Sequence, residues 1–160
     1  MLRVFKPLPV AHDVHSSDAL PPAARDYARD TLTLGWEERT KARALRRSDG
    51  GVEFGTSLPR GAILRHGDVF VLDVIATCIE VLEREEPVFV IQPSTPDEWA
   101  RFAYQIGNSH QPMMVADASI VCPDVAGMAQ VLDYHRIPFT RARRAFTPIG
   151  HVPDHRHQQR

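Results

Sequence analysis

Long apolar runs are missing from this sequence. No window approaches the ~18 unbroken apolar residues that a membrane-spanning helix needs. The opening "MLRVFKPLPVAHD" has too short an apolar stretch for a secretory signal, and no small-residue cleavage pattern follows it. The cytosol is therefore the expected setting. Cysteine is scarce: Cys78 and Cys122 are the only two, which excludes a disulfide framework and a CxxC metal knuckle. Each sits in an apolar run, "VIATCIEVL" or "ASIVCP", where a thiol reads first as a small buried side chain. An excess of one charge is lacking too. With 19 Lys+Arg against 20 Asp+Glu the net charge is −1, so nothing draws the whole chain toward nucleic acid or anionic membrane. There is no P-loop, no Gly-rich dinucleotide turn, no H-E-x-x-H and no G-x-S-x-G. No catalytic residues are expected.

Histidine is what the chain has in plenty. Eight are present, and His151, His155 and His157 fall in the last ten residues. The tail from 148 to 160 has no apolar periodicity and no core to join. Imidazoles on such a segment offer metal ligands at little structural cost.

Two halves are visible. Residues 1–85 show short apolar segments, "LRVF", "TLTLGW", "RTKARALRR", "VEF" and "VFVLDVIATCIEVL", separated by turn signals "SDGG", "LPRG" and "RHGD". That spacing predicts small antiparallel sheets packed on each other. Residues 9–30, rich in Pro and Asp, predict a surface insertion with one helical turn near 23–28. The charged run "EREEP" at 83–87 marks a plausible linker.

After it the pattern changes. "VFVI" predicts a strand, and "STPDEWARFAYQIGN" a helix. Thr95 and Glu98 fit a capping box, Pro96 suits the first turn, and Gly107 the C-terminal stop. Trp99, Phe102, Ala103 and Ile106 recur on one face. "MMVA" and "ASIV" predict two strands joined at Asp117. A second helix is expected from Pro123-Asp124, with Val125, Met128, Ala129 and Leu132 buried and Pro138 ending it. "FTRARRAF" predicts a last strand. The whole is an α+β chain: a β-rich domain over 1–85, then a ferredoxin-like βαββαβ domain over 86–147.

That order serves many functions. RNA recognition needs aromatics exposed on the central strands, and only Phe89 is available. The basic stretches 41–47 and 141–144 read as solvated strand faces. A nucleophile at Cys122, activated by a helix N-terminus with His110 as base, is a conceivable enzyme reading. Metal accounts better for His110. It follows a helix C-terminus, where free carbonyls favour a cation, and its neighbours Asn108, Ser109 and Gln111 are polar. One imidazole is half a site, but a two-fold dimer brings two together. All-imidazole ligation suits Ni, Cu or Zn. The alternative is a non-metal peptide-binding chaperone or adaptor that uses the β half as its surface.

"EERTKARAL", "LPRGAILRHGD" and "AYQIGNSHQP", followed by a His-bearing C-terminus, resemble the urease accessory proteins of the UreE type. The resemblance covers about residues 31–151. It implies a homodimeric nickel metallochaperone with an N-terminal domain resembling peptide-binding modules. His110 would lie at the dimer interface as a nickel ligand, supplemented by His151, His155 and His157. It further implies Ni(II) as cargo, with Zn(II) or Cu(II) as possible competitors. The implied partners are an accessory GTPase and the urease apoprotein. Ser109 stands where members often carry arginine, and His66 where an acidic residue is common. His12 and His15 belong to the 9–30 segment. The tail is modest in histidine beside the richest members, which fits delivery rather than storage.

Overall fold

The computed structural model describes residues 7–149. It divides into two units, Met1–Arg84 and Glu85–Arg160. In the first, alternation of apolar and polar residues sets the strands. In chain order these are β1 (Val10–Ala11), β2 (His15–Ser16), β3 (Ala28–Leu34), the short helix α1 (Trp36–Arg39), β4 (Arg43–Arg47), β5 (Glu53–Ser57), β6 (Asp68–Leu72) and β7 (Thr77–Glu83). They form two sheets, β1-β5-β4 and β2-β6-β7-β3. The period of two sends Leu32, Leu34, Phe54, Phe70, Leu72, Ile79 and Val81 into one core. Phe54 and Phe70, one from each sheet, meet edge to face at 5.4 Å. Alongside its antiparallel pairs each sheet holds a parallel one, β1–β5 and β3–β7. Both join strands far apart in sequence, as parallel pairing requires.

Residues 9–30 are not a surface insertion. Ala11 joins the main core, and His15–Ser16 pairs with β6. A 3-10 turn at Pro22–Asp26 buries Ala24 completely against Val69 and Cys78. The prolines and aspartates give the segment a loop composition. Its structural content is two-residue strands and a single alanine, too short for any periodicity to register.

The basic stretch at 41–47 is not wholly solvated either. Arg46 is buried, and its guanidinium donates to Thr56 Oγ1 and to the carbonyls of Glu38 and Lys41. Arg39 is buried more deeply still. It donates to Glu83 Oε1 at 2.8 Å and lies over the Trp36 ring.

The second unit contains β8 (Glu86–Ile91), α2 (Pro96–Asn108), β9 (Met114–Ala116), β10 (Ser119–Pro123), α3 (Met128–Tyr134) and β11 (Thr140–Arg144). Their sheet order is β11-β8-β10-β9, antiparallel throughout. This is the βαββαβ arrangement, with β10 filling the slot between β8 and β9. Phe89, Ile91, Ile120 and Cys122 on the sheet pack with Phe102, Ile106, Met128 and Leu132 on the helices.

Only Arg84 and Glu85 separate β7 from β8. Arg84 is tied back to Leu34, Thr33 and Glu38, while the Glu85 carbonyl accepts from Arg143. The second helix begins later than its sequence suggests. Pro123 is the last residue of β10, paired with Val88, and Gly127, at φ 85°, precedes Met128. Val125 is consequently exposed. Among the described residues no helix is long and apolar enough to cross a membrane.

Candidate metal site

Helix α2 is capped by Thr95, whose Oγ1 accepts from the Glu98 N–H. The Glu98 carboxylate accepts from the Ser94 N–H, one residue before the cap, so the expected reciprocal box on Thr95 is not closed. The end of the helix differs too. Gly107 lies inside the helix, and the left-handed residue is His110, at φ 56°. The His110 N–H donates to the Gly107 carbonyl at 2.9 Å and the Gln111 N–H to the Ile106 carbonyl at 3.3 Å. These are the two bonds of a Schellman motif, with His110 in the position that glycine usually takes. Ser109 Oγ covers a further carbonyl, that of Gln105. The bend is therefore closed by backbone bonds and one serine. The His110 side chain is exposed and has no hydrogen-bonding partner among the described residues. Helix α3 ends the same way, with Arg136 at φ 55° and bonds to the Asp133 and Leu132 carbonyls.

The chain returns to this loop at its other end. β11 is one edge of the sheet and β9 the other. Beyond Arg144 the chain crosses between them, and the Ile149 N–H donates to the Met113 carbonyl at 2.8 Å. Three strand spacings are about 14 Å, and five extended residues reach about 17 Å, so the crossing is nearly straight. Thr147 N–H meets Met114 Sδ. Met114 pairs with Val121, which faces away from the helices, so the strap lies on that side of the sheet. Its alternate residues Phe146 and Pro148 are buried. The segment thus leaves the described structure beside Met113, three residues from His110. Composition gave no sign of this strap; the alternation of Phe146 and Pro148 was the available signal.

The other predicted ligands, His151, His155 and His157, lie outside the described residues. Among the described residues no group of three His, Cys, Asp or Glu side chains could hold a metal ion. His15 approaches only Asp13, at 3.8 Å. His66 occupies the turn before β6, and His135 caps α3.

Cys122 does not stand at a helix N-terminus. It lies in β10, wholly buried. Desolvation, then the Asp124 charge, push its thiol up to about 12, so it offers no thiolate near neutrality. Cys78 is also buried, with its pKa raised by desolvation. Phe89 is buried beneath Arg141 and is not available to stack on a base.

Several exposed apolar side chains stand on the segments around the His110 loop. They are Tyr104 on α2, Val115 on the edge strand β9, and Ile149.

Family models match both parts of the chain. The model described as "UreE urease accessory protein, N-terminal domain" matches residues 10–81, and that of the C-terminal domain matches 86–160. Among similar proteins, a urease accessory protein UreE from Chelativorans sp. (strain BNC1) is 36% identical over 96 residues, 60% of each chain. One from Burkholderia vietnamiensis is 37% identical over 87 residues, 54% of this chain and 43% of the relative. One from Enterobacter sp. (strain 638) is 31% identical over 128 residues, 76% of this chain and 84% of the relative. The match to the first two thus spans about half of those relatives' own lengths.

Proposed function

This chain belongs to the UreE family of urease accessory proteins, and from that premise we propose that it is a nickel metallochaperone. It binds Ni(II) as cargo and delivers it for assembly of the urease active site, without catalytic turnover of its own. It acts in the cytoplasm as a homodimer, with an accessory GTPase and the urease apoprotein as partners. The core of the site is His110 from each protomer, completed by His151, His155 and His157; Zn(II) and Cu(II) are competing ions.

One observation carries this reading. The imidazole of His110 is exposed and unbonded at a left-handed helix cap, and the strap that leads into the histidine tail is fastened at Met113, in the same loop. His151 follows Ile149 by two residues in the sequence. The exposed Tyr104, Val115 and Ile149 supply apolar surface for a two-fold contact near this loop. A site with one ligand per chain and the rest on a tail exchanges its ion more readily than a closed cage, which suits a carrier.

Calorimetric titration with nickel tests it. His110→Ala should remove the dimer-centred site, and truncation after Gly150 should weaken or subtract sites while leaving that ion. Unchanged stoichiometry and affinity in His110→Ala would refute the assignment. Loss of all binding on truncation would refute the division between core and tail.

A further inference from the structure

The face of the sheet β2-β6-β7-β3 that turns away from the main core carries a cavity of about 190 Å³. Ile79 and Val81 on β7 point into that core, so Cys78 and Glu80 point the other way. The register Arg29↔Cys78, Thr31↔Glu80 and Val69↔Glu80 brings those side chains to the same face. Val69 and Cys78, both buried, make an apolar floor. Arg29 and Glu80 line the cavity on neighbouring strands, diagonally opposed. One strand spacing and two residue rises set these two positions about 8 Å apart. The two charges are not joined, and no ion pair among the described residues includes either. Arg29 is held instead by the 3-10 turn, where its Nη2 donates to the Ala24 and Arg25 carbonyls at 3.5 and 3.3 Å. Its Nε and Nη1 make no bond among the described residues. Glu80 is half-buried, and its carboxylate has no hydrogen-bonding partner among them. Asp30 also lines the cavity, but its carboxylate is engaged by Ser48 Oγ and by the N–H groups of Thr31 and Gly50.

We infer that this cavity binds a small neutral α-amino acid. The ligand's ammonium group meets the Glu80 carboxylate, its carboxylate meets Arg29, and a short aliphatic side chain lies on Val69 and Cys78. The dimensions agree. Two charge-assisted bonds of about 2.8 Å and the separation of about 2.5 Å between an α-nitrogen and its carboxyl carbon add to about 8 Å, the span of the two strand positions. A simple amine leaves Arg29 unmatched, and a simple carboxylate leaves Glu80 unmatched. A polypeptide segment is disfavoured, because a peptide bond removes one of the two charges. The volume lies below the ~300–1,000 Å³ of pockets for drug-sized ligands, which excludes a nucleotide. A ligand held by β3 at one end and β7 at the other would stabilise the first unit by mass action. This inference does not depend on nickel.

The test titrates L-valine into the full chain while amide chemical shifts are followed. Valine should shift the Arg29, Cys78 and Glu80 amides saturably and raise the thermal midpoint. Two analogues separate the charges: isobutylamine lacks the carboxylate, and 3-methylbutanoate lacks the ammonium. Each should bind about tenfold more weakly or worse, a difference of about 1.4 kcal/mol. Glu80→Gln and Arg29→Gln should each weaken valine by a similar factor, with nickel binding unchanged. Circular dichroism confirms that these variants fold, and the three ligands on the unaltered chain decide the question should a variant not fold. No saturable shift at millimolar valine, equal binding of either analogue, shifts centred elsewhere, or undiminished binding by the folded variants would each overturn the inference.

Discussion

Replacing His110 by glycine should raise the stability of the fold while weakening nickel binding. At φ 56° a side chain brings Cβ close to a carbonyl oxygen, which costs an L-residue about 1–2 kcal/mol. Glycine removes that strain but loses roughly 0.4–1 kcal/mol through its freer unfolded chain. The imidazole forfeits nothing in return, because no bond of the described fold uses it. The net is a gain of about 0.5–1 kcal/mol. Urea denaturation followed by circular dichroism would show it as a higher midpoint with an unchanged slope. Arg136→Gly is the matched control: the same motif and nearly the same φ, but no proposed ligand. It should gain similar stability and leave nickel binding intact. If His110→Gly lost stability while Arg136→Gly gained it, the imidazole would be making structural contacts and the reasoning would fail. If both gained and nickel affinity stayed the same in both, the residue would be a turn former only.

Three further outcomes follow from the geometry. Glu83→Ala should lower the stability of the first unit by about 1.5–3 kcal/mol, because the buried Arg39 loses its 2.8 Å charge-assisted bond to the Glu83 carboxylate; a smaller denaturant midpoint is the measure, and a change under about 0.5 kcal/mol would show that bond to be dispensable. Cys122, buried with a thiol at about 12, should resist iodoacetamide at pH 8 in native protein and react once it is unfolded; rapid native labelling located to Cys122 by mass spectrometry would contradict its placement. Burial acts to raise the Asp49 pKa, but hydrogen bonds from Thr31 and Thr33 and the Arg84 charge bring it below the ordinary value of 3.8. Its stabilisation is therefore full above that value and lost as pH falls through the depressed one. Asp49→Asn should be less stable than the parent at pH 7 and converge on it in acid, as parallel pH–midpoint curves would disprove.

The parts legible in the sequence were those governed by local, repeating signals. The face of α2 from Trp99 to Ile106, its Thr95 cap and the strand order of the second unit rest on periods of 3.6 and two, and on capping chemistry confined to a few residues. What escaped was non-local or too short to repeat. Ala24 is buried because Val69 and Cys78, distant in sequence, pack on it. Arg39 and Arg46 are buried because Glu83 and Thr56 wait for them in other strands. Composition counts all of these as surface.

His110 belongs to a third category. The sequence marked it as a residue of interest and placed the end of the helix nearby, but assigned the left-handed position to Gly107. Local rules would indeed put the glycine where the chain turns. Here the glycine remains in the helix at an unremarkable φ, and the histidine takes the strained conformation three residues later. A fold optimised for stability alone has no use for that exchange, since the motif's two bonds are made by backbone atoms that glycine would supply equally. Arg136 shows that the motif by itself tolerates a bulky residue. What separates the two positions is the strap, because only the His110 loop has the entry to the histidine tail bonded to it, through Met113 and Ile149. The case for a ligand therefore rests less on the histidine as a residue type than on the meeting of two chain segments, each carrying imidazoles, at one backbone hydrogen bond.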